Sequence, residues 1–200
     1  MKRLITLACL AAVVSLASGT AMAESIKGRV GVTGKLGFLN PGDNEAEFSR
    51  GRNNNTDIGE IGGVGLIYGI DNNWAAEFDV TGSSFDSDTG EFGVTNLSVG
   101  AQYRFRLPEV RQLVPYAGAG LDLLVADYDP YDGTSRDVDT TLGVHLSGGV
   151  DYFLIKDLAL TGEAKLVLAP DADITQGGTR TGDFDPSSFS STVGIRYFFN

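Results

Sequence analysis

Apolar and polar residues alternate along most of this chain with a period of two, the signature of β-strands that show different faces to different surroundings. In segment 188–200, Phe189, Val193, Ile195, Tyr197 and Phe199 share one face, interrupted by Ser191. Ser188, Ser190, Thr192, Gly194 and Arg196 share the other, which ends on Phe198. Seven segments upstream repeat the pattern. Segment 26–39 sets Ile26, Val30, Val32, Leu36 and Phe38 against Lys27, Arg29, Thr33 and Lys35. Segment 58–70 sets Ile58, Val64, Leu66, Tyr68 and Ile70 against a face that is mostly glycine, with Glu60 as the exception. Segment 74–82 sets Trp74, Ala76, Phe78 and Val80 against Glu77, Asp79 and Thr81. Segment 93–107 sets Leu97, Val99, Ala101, Tyr103, Phe105 and Leu107 against Asn96, Ser98, Gln102, Arg104 and Arg106. Segment 114–125 sets Ala117, Ala119, Leu121, Leu123 and Val125 against Tyr116 and Asp122. Segment 140–154 sets Leu142, Val144, Leu146, Val150, Tyr152 and Leu154 against Thr141, His145, Ser147 and Asp151. Segment 158–168 sets Leu158, Leu160, Ala164, Leu166 and Leu168 against Thr161, Glu163 and Lys165.

The connections alternate in length. Those at 71–73, 108–113 and 156–157 are short, and those at 40–57, 83–92, 126–139 and 170–187 are longer. Short turns at one end and long loops at the other are the plan of an outer-membrane barrel. Such a barrel pairs every backbone group and leaves no edge in lipid. Tyr68, Trp74, Tyr103, Phe105, Tyr152, Tyr197 and Phe199 gather at the short-turn ends, where an interfacial girdle belongs. The pattern predicts an all-β fold, an eight-stranded antiparallel transmembrane β-barrel. A soluble sandwich or lipocalin-like barrel would alternate too, with its apolar set inward. Alternation alone does not say which face is inside.

The two ends of the chain bear on that choice. Lys2 and Arg3 precede an apolar stretch, 4–16, too short to span a bilayer, and Ala21-Met22-Ala23 is a small-x-small cleavage site. Residues 1–23 therefore read as a secretory signal peptide cleaved after Ala23, and 24–200 as the barrel domain. Cys9 lies in the leader, so the mature chain from Glu24 has no cysteine, no disulfide framework and no thiolate metal site. At the other end, Gly194, Tyr197 and Phe199 resemble the C-terminal targeting signal of outer-membrane barrels, with Asn200 following the usual terminal aromatic. The resemblance implies recognition by the barrel-assembly machinery and a place in the outer membrane among phospholipid and lipopolysaccharide.

Val114-Pro115-Tyr116-Ala117-Gly118-Ala119-Gly120 resembles the fifth-strand entry of OmpW-type small barrels. The run from Gly148 through Leu154, followed by Asp157-Leu158-Ala159-Leu160, resembles their sixth-strand hairpin. The resemblance implies an eight-stranded barrel with periplasmic termini and passage of small hydrophobic molecules through an apolar lumen. Here the inferred inner face is charged, which points toward OmpA-like or OmpX-like barrels with polar interiors. The expected role is structural or surface-interacting, or that of a narrow channel, with OmpW-like passage as the alternative.

Charge narrows the partners. The formal net charge is −11, and the acids crowd into the long connections: Asp43, Glu45 and Glu47; Asp86, Asp88 and Glu91; Asp127, Asp129, Asp132, Asp137 and Asp139; Asp171, Asp173, Asp183 and Asp185. Nucleic acid is excluded as a partner, because phosphate binding needs basic patches. The acids read as a solvated loop surface, or as sites for divalent cations that bridge to lipopolysaccharide phosphates. The run from Asp127 to Gly133 reads as a turn, because its spacing departs from a calcium loop and the closing Glu is missing. Asp88-Thr89-Gly90 reads as a hairpin loop, because aspartic-protease chemistry needs a second facing carboxylate. Gly63 and Gly65 leave room for large neighbours on a strand. No cofactor is expected.

His145 and Ser147 share one strand face. They resemble the His-x-Ser pair of outer-membrane lipid A deacylases, in which an imidazole deprotonates the hydroxyl and a carboxylate orients the ring. That family's following Asn is Gly148 here, and both residues are expected to face the lumen. Membership of a lumen network is the expected role, acyl hydrolysis the alternative. The inner face as a whole carries Lys27, Arg29, Lys35, Arg104, Arg106, Lys165 and Arg196 against Glu77, Asp79, Asp122, Asp151 and Glu163, with Asp57 at a strand end. An eight-stranded barrel is just wide enough for side chains to fill it. Near-matched charges in so narrow a bore predict pairing rather than an open channel. Arg196, whose planar fork serves two carboxylates at once, is predicted to bridge Asp151 and Glu163.

Overall fold

The computed structural model describes residues 25–42, 44–47, 52–54, 56–131, 133 and 136–199. The expected leader and cleavage site, Asp43, Asp132 and Asn200 lie outside them, as do the side chains of Glu45 and Glu47. The strands are β1 (Val30–Pro41), β2 (Asn44–Glu47), β3 (Arg52–Asn54), β4 (Gly59–Gly69), β5 (Trp74–Asp86), β6 (Gly90–Arg104), β7 (Leu113–Pro130), β8 (Arg136–Val138), β9 (Thr141–Ile155), β10 (Leu158–Leu168), β11 (Ala172–Gln176), β12 (Thr179–Phe184) and β13 (Ser188–Phe199).

The long strands pair in the order β1, β4, β5, β6, β7, β9, β10, β13, every neighbour antiparallel, and β13 returns to β1. These eight close a barrel with no free edge, as the alternation predicted. Side-chain direction decides the face. Leu36, Val64, Val99, Leu121, Leu142, Leu146, Val193 and Ile195 all point outward and are exposed, while the charged positions opposite them are buried in the bore. A soluble barrel would be turned the other way. An outer wall of this kind is stable in hydrocarbon and prone to aggregate in water. At the short-turn end Trp74 meets Tyr103 edge-on at 5.2 Å, Tyr103 meets Phe105 at 5.0 Å, and Tyr197 meets Phe199 at 5.0 Å. These rings form part of the expected girdle. Tyr152 is half-buried and donates its hydroxyl to Gln112 at 3.2 Å.

The long-loop end differs from expectation. Segment 83–92 is mostly strand, because β5 runs on to Asp86 and β6 begins at Gly90. Segment 126–139 continues β7 to Pro130 and adds β8, and segment 170–187 folds into the β11–β12 hairpin. β8 pairs with β7 and β11, β12 with β2, and β2 with β3, while Thr56 bridges back to Ser87. The connections build a crown on the barrel. Its acids had suggested loops, but they alternate with aromatics: Phe85-Asp86, Glu91-Phe92, Asp127-Tyr128-Asp129. That is a strand pattern with its polarity reversed.

The interior has three layers. A floor at the short-turn end packs Ile26, Ile67, Ala75, Val114, Phe153, Ala159 and Phe198. A ceiling inside the crown packs Leu39, Phe85, Phe92, Ala126, Tyr128, Ala172, Ile174 and Phe184. Phe92 is its centre, stacked on Tyr128 at 4.3 Å, Phe184 at 5.0 Å and Phe85 at 5.6 Å. Polar and charged groups fill the space between. Ile26 corrects the sequence reading, which put it on the outer face. The chain turns at Gly28, whose φ of 75° suits glycine, so the alternation loses phase before β1 and Ile26 folds under the barrel mouth.

Candidate functional site

Inward positions two apart on eight strands place the charged side chains at similar depth, and register aligns them. Arg196 on β13 stands opposite Thr33 on β1, Thr33 opposite Gly65 on β4, Gly65 opposite Asp79 on β5, and Asp79 opposite Ser98 on β6. Glycines make this density possible. A Cβ at Gly65 would lie 2.0 Å from Asp79 Oδ1, and one at Gly149 would lie 2.5 Å from the Tyr116 ring.

One closed circuit spans the bore. Arg196 Nη1 donates to Asp151 at 2.9 Å, and Arg104 Nη2 donates to the same carboxylate at 2.6 Å. Arg104 Nη1 reaches Gln102 Oε1 at 3.4 Å, Gln102 donates to Glu77, and Arg196 Nη2 closes the ring on Glu77 at 2.9 Å. Arg196 Nε is occupied by Thr33 Oγ1 at 2.9 Å. Both guanidiniums lie over the Tyr116 ring, at 5.8 and 5.6 Å. Tyr116 donates its hydroxyl to Glu163 at 3.1 Å and so joins this circuit to a second one. There Lys35 binds Asp79 at 2.7 Å and Glu163 at 3.2 Å, and Lys165 reaches Asp79 at 3.4 Å and Ser98 at 3.2 Å. A third group stands beside them: His145 Nδ1 is 2.7 Å from Asp122, whose other oxygen accepts from Asn96 at 2.8 Å.

Glu77, Asp79, Arg104, Asp122, Asp151, Glu163, Lys165 and Arg196 thus meet in this layer, together with Lys35. The remaining assignments change. Arg29 is buried but sits at the short-turn mouth, bound to Asp157 and to the Phe198 carbonyl at 3.0 Å. Lys27 is exposed, because it precedes the Gly28 turn. Arg106 is exposed as well, because β6 ends at Arg104 and alternation no longer steers the chain beyond it. Asp57 is exposed at the crown end. Arg196 bridges Asp151 and Glu77 instead of Asp151 and Glu163. Barrel closure brings β5 to face β13 across the bore, which local hairpin geometry does not reveal, and Lys35 and Tyr116 already hold Glu163.

Tyr116, Gln102, Thr33 and Thr161 have larger parts than the sequence reading assigned them. Their signal was present: each occupies an inward position with a charged residue or a glycine two places along the strand, namely Gly118, Arg104, Lys35 and Glu163 respectively. His145 and Ser147 both lie on the bore side of the wall, and no hydrogen bond joins them among the described residues. In the C-terminal strand, Gly194 faces inward opposite Lys35, while Tyr197 and Phe199 face outward. Among the described residues no group of three or more His, Cys, Asp or Glu could hold a metal ion.

Among the described residues, Asp79 Oδ1 and Asn96 Oδ1 accept from no protein group. A cavity of about 30 Å³ lies between the polar layer and the ceiling, touching Lys35, Thr81, Asn96, Lys165, Thr192 and Phe184. Since one water needs roughly 10–15 Å³ of such space, this is room for about two waters.

A family model described as the outer membrane protein beta-barrel domain matches residues 9–197. No curated protein sequence matches the chain. Among solved structures, the outer membrane protein OprG from Pseudomonas aeruginosa superposes with a TM-score of 0.73 at 17% identity, over 87% of this chain and 97% of that one. Neisserial surface protein A superposes with a TM-score of 0.64 at 18% identity, over 85% and 97%. AlkL, solved in DMPC lipid bilayers, gives 0.64 at 18% identity, over 87% and 91%. At these identities the likeness is one of fold.

Proposed function

Because the chain belongs to the outer membrane protein β-barrel family, we propose that it is a closed, non-conducting barrel that anchors a structured acidic surface on the outside of the cell. In this reading residues 1–23 are removed on export, the terminal strand with Gly194, Tyr197 and Phe199 is read during assembly, and the short turns face the periplasm. The crown then stands among lipopolysaccharide headgroups. Its outer wall carries Glu60, Asp86, Glu91, Asp127 and Asp129, all exposed. These acids serve as a solvated contact surface, or bridge to lipid phosphates through divalent cations.

The observation that carries the reading is the sealed interior. Arg196 is 1% exposed and Asp151 0%, and the circuit through them crosses the bore between an apolar floor and an aromatic ceiling. An ion would have to break buried pairs, each strongly unfavourable to separate. A small hydrophobic molecule travelling along the axis would meet the charged layer, which weighs against OmpW-like passage by that route. The inward placement of His145 and Ser147, behind the wall from any lipid, weighs against acyl hydrolysis.

Refolded protein in planar bilayers tests the proposal. The expected trace is silent at moderate voltage. Steady single-channel steps from the wild type would replace this reading with that of a narrow channel.

A further inference from the structure

We propose that the short-turn rim carries a site for the headgroup of an anionic phospholipid, built from Lys27 and Arg106 on either side of the turn at 71–73. The proposal rests on the reading that this end lies at the inner leaflet.

Arg106 lies two residues beyond the end of β6 and is exposed. Its Nε donates to the Asn72 carbonyl at 2.9 Å, which pins the guanidinium on the turn. Nη1 and Nη2 have no partner among the described residues, and neither does the Lys27 ammonium. The nearby acid does not neutralise them. Asp71 Oδ1 accepts from the backbone N–H of Asn73 and of Trp74, each at 2.7 Å. Those two bonds hold its carboxyl below the ordinary range, with a smaller contribution from Lys27 and Arg106. Asp71 therefore lies in the field of both cations, is spent on shaping the turn, and forms an ion pair with neither.

Depth and charge identify the partner. Trp74, which follows the turn directly, packs on Tyr103, and Tyr103 on Phe105. Aromatic belts of this kind settle at headgroup level. Arg106, bonded to Asn72 in the turn before Trp74, and Lys27, whose backbone bridges Gly69 at the end of β4, stand beside that belt, within reach of lipid phosphates at headgroup level. A phosphodiester offers oxygens that an Arg fork grips in pairs and an ammonium meets as a point charge. A zwitterionic lipid brings the same phosphate with a compensating amine, so an anionic headgroup is preferred. The opposite end of the barrel presents exposed acids instead, among them Glu60, Asp86, Glu91, Asp127 and Asp129.

Trp74 is the only tryptophan, so it reports on the site directly. The mature barrel is reconstituted in vesicles that mix phosphatidylcholine with phosphatidylglycerol, one or the other brominated on its acyl chains. Quenching of Trp74 then gives the relative affinity of the two lipids at the rim. Two cations at an anionic surface predict a preference for phosphatidylglycerol of about thirtyfold, weakening as salt is added. Lys27→Ala/Arg106→Ala should bring the ratio near one, and Arg106→Lys should keep part of it, with folding of each variant checked by heat-modifiable gel mobility. A wild-type ratio near one overturns the site, as does a double variant with undiminished preference. Loss of the preference on adding millimolar inorganic phosphate would overturn the lipid assignment in favour of a free-phosphate site. Both leaflets of these vesicles have the same composition, so the result does not depend on orientation. A silent conductance trace beside a flat lipid preference would discard this site and leave the closed-barrel reading standing.

Discussion

Strand β7 passes through two regions of the molecule and obeys opposite rules in each. In the lower part Ala117, Ala119, Leu121 and Leu123 face outward, while Tyr116 and Asp122 face inward. In the upper part Asp127 and Asp129 face outward, while Leu124, Ala126 and Tyr128 face inward. The parity of the strand never changes; its polarity does. β5 does the same, with Glu77 and Asp79 inside below and Phe85 inside above. The lesson is that the surroundings choose the apolar face. Hydrocarbon outside sends polar groups into the bore, where they must pair. Water outside sends aromatics into the bore, where they stack. Above the apolar floor, one continuous wall is therefore held by ion pairing across its middle and by apolar burial in its crown.

The largest expected effect breaks the lower rule. Arg196→Leu leaves Asp151 with Arg104 as its one cation, and Glu77 without an ion pair, among the described residues. Stripping one partner from a buried network costs about 3–5 kcal/mol. Urea unfolding in lipid vesicles should show a loss of that size for the whole barrel. Phe92→Ala breaks the upper rule instead. Emptying a fully buried aromatic site costs about 3–5 kcal/mol, but here the loss should fall on the crown. Limited proteolysis should cut within 83–92 or 170–187, while the gel mobility of the folded barrel survives.

A matched pair of charges sharpens the contrast further. Leu121→Arg puts a cation on the apolar wall, where it should cost about 2–4 kcal/mol near the bilayer midplane. Ser84→Arg puts the same group on the crown wall, in water, and should cost about 0–1 kcal/mol. Equal costs would mean that the crown is immersed in lipid. The smallest effect belongs to the turn at Asp71, outside both regions. Its folded carboxyl titrates below its unfolded value, so its contribution is present at neutral pH and fades as pH falls through the folded pKa. Asp71→Asn should therefore lower stability slightly at pH 7 and leave it unchanged at strongly acid pH, as read from vesicle unfolding midpoints.

Much of this architecture is legible in the sequence. The alternation in 26–39 or 158–168 reads directly as strands, and the charged face reads as a filled bore. Two things were hidden. Alternation is blind to a reversal of polarity, so Glu91-Phe92 and Asp127-Tyr128 looked like acidic loops although their parity continues the strands below. Pairing across a bore depends on closure, which no single hairpin encodes, so Arg196 could be matched to Asp151 but not to Glu77. Alternation also fails where the backbone leaves the strand, which misplaced Ile26 and Lys27 before Gly28 and Arg106 after Arg104.

The reversal on β7 is open to direct measurement. Cys9, the only cysteine, precedes the barrel, so single cysteines can be placed at 117, 119, 121, 123, 124, 126, 127, 128 and 129 and spin-labelled in bilayers. Accessibility to oxygen, which concentrates in lipid, and to a water-soluble nickel chelate is then recorded at each site. The account predicts oxygen access at 117 to 123 on the odd positions, nickel access at 127 and 129, and protection from both at 124, 126 and 128. Nickel access at 124, 126 and 128 would mean an open, water-filled funnel in place of the aromatic ceiling, and would contradict the account.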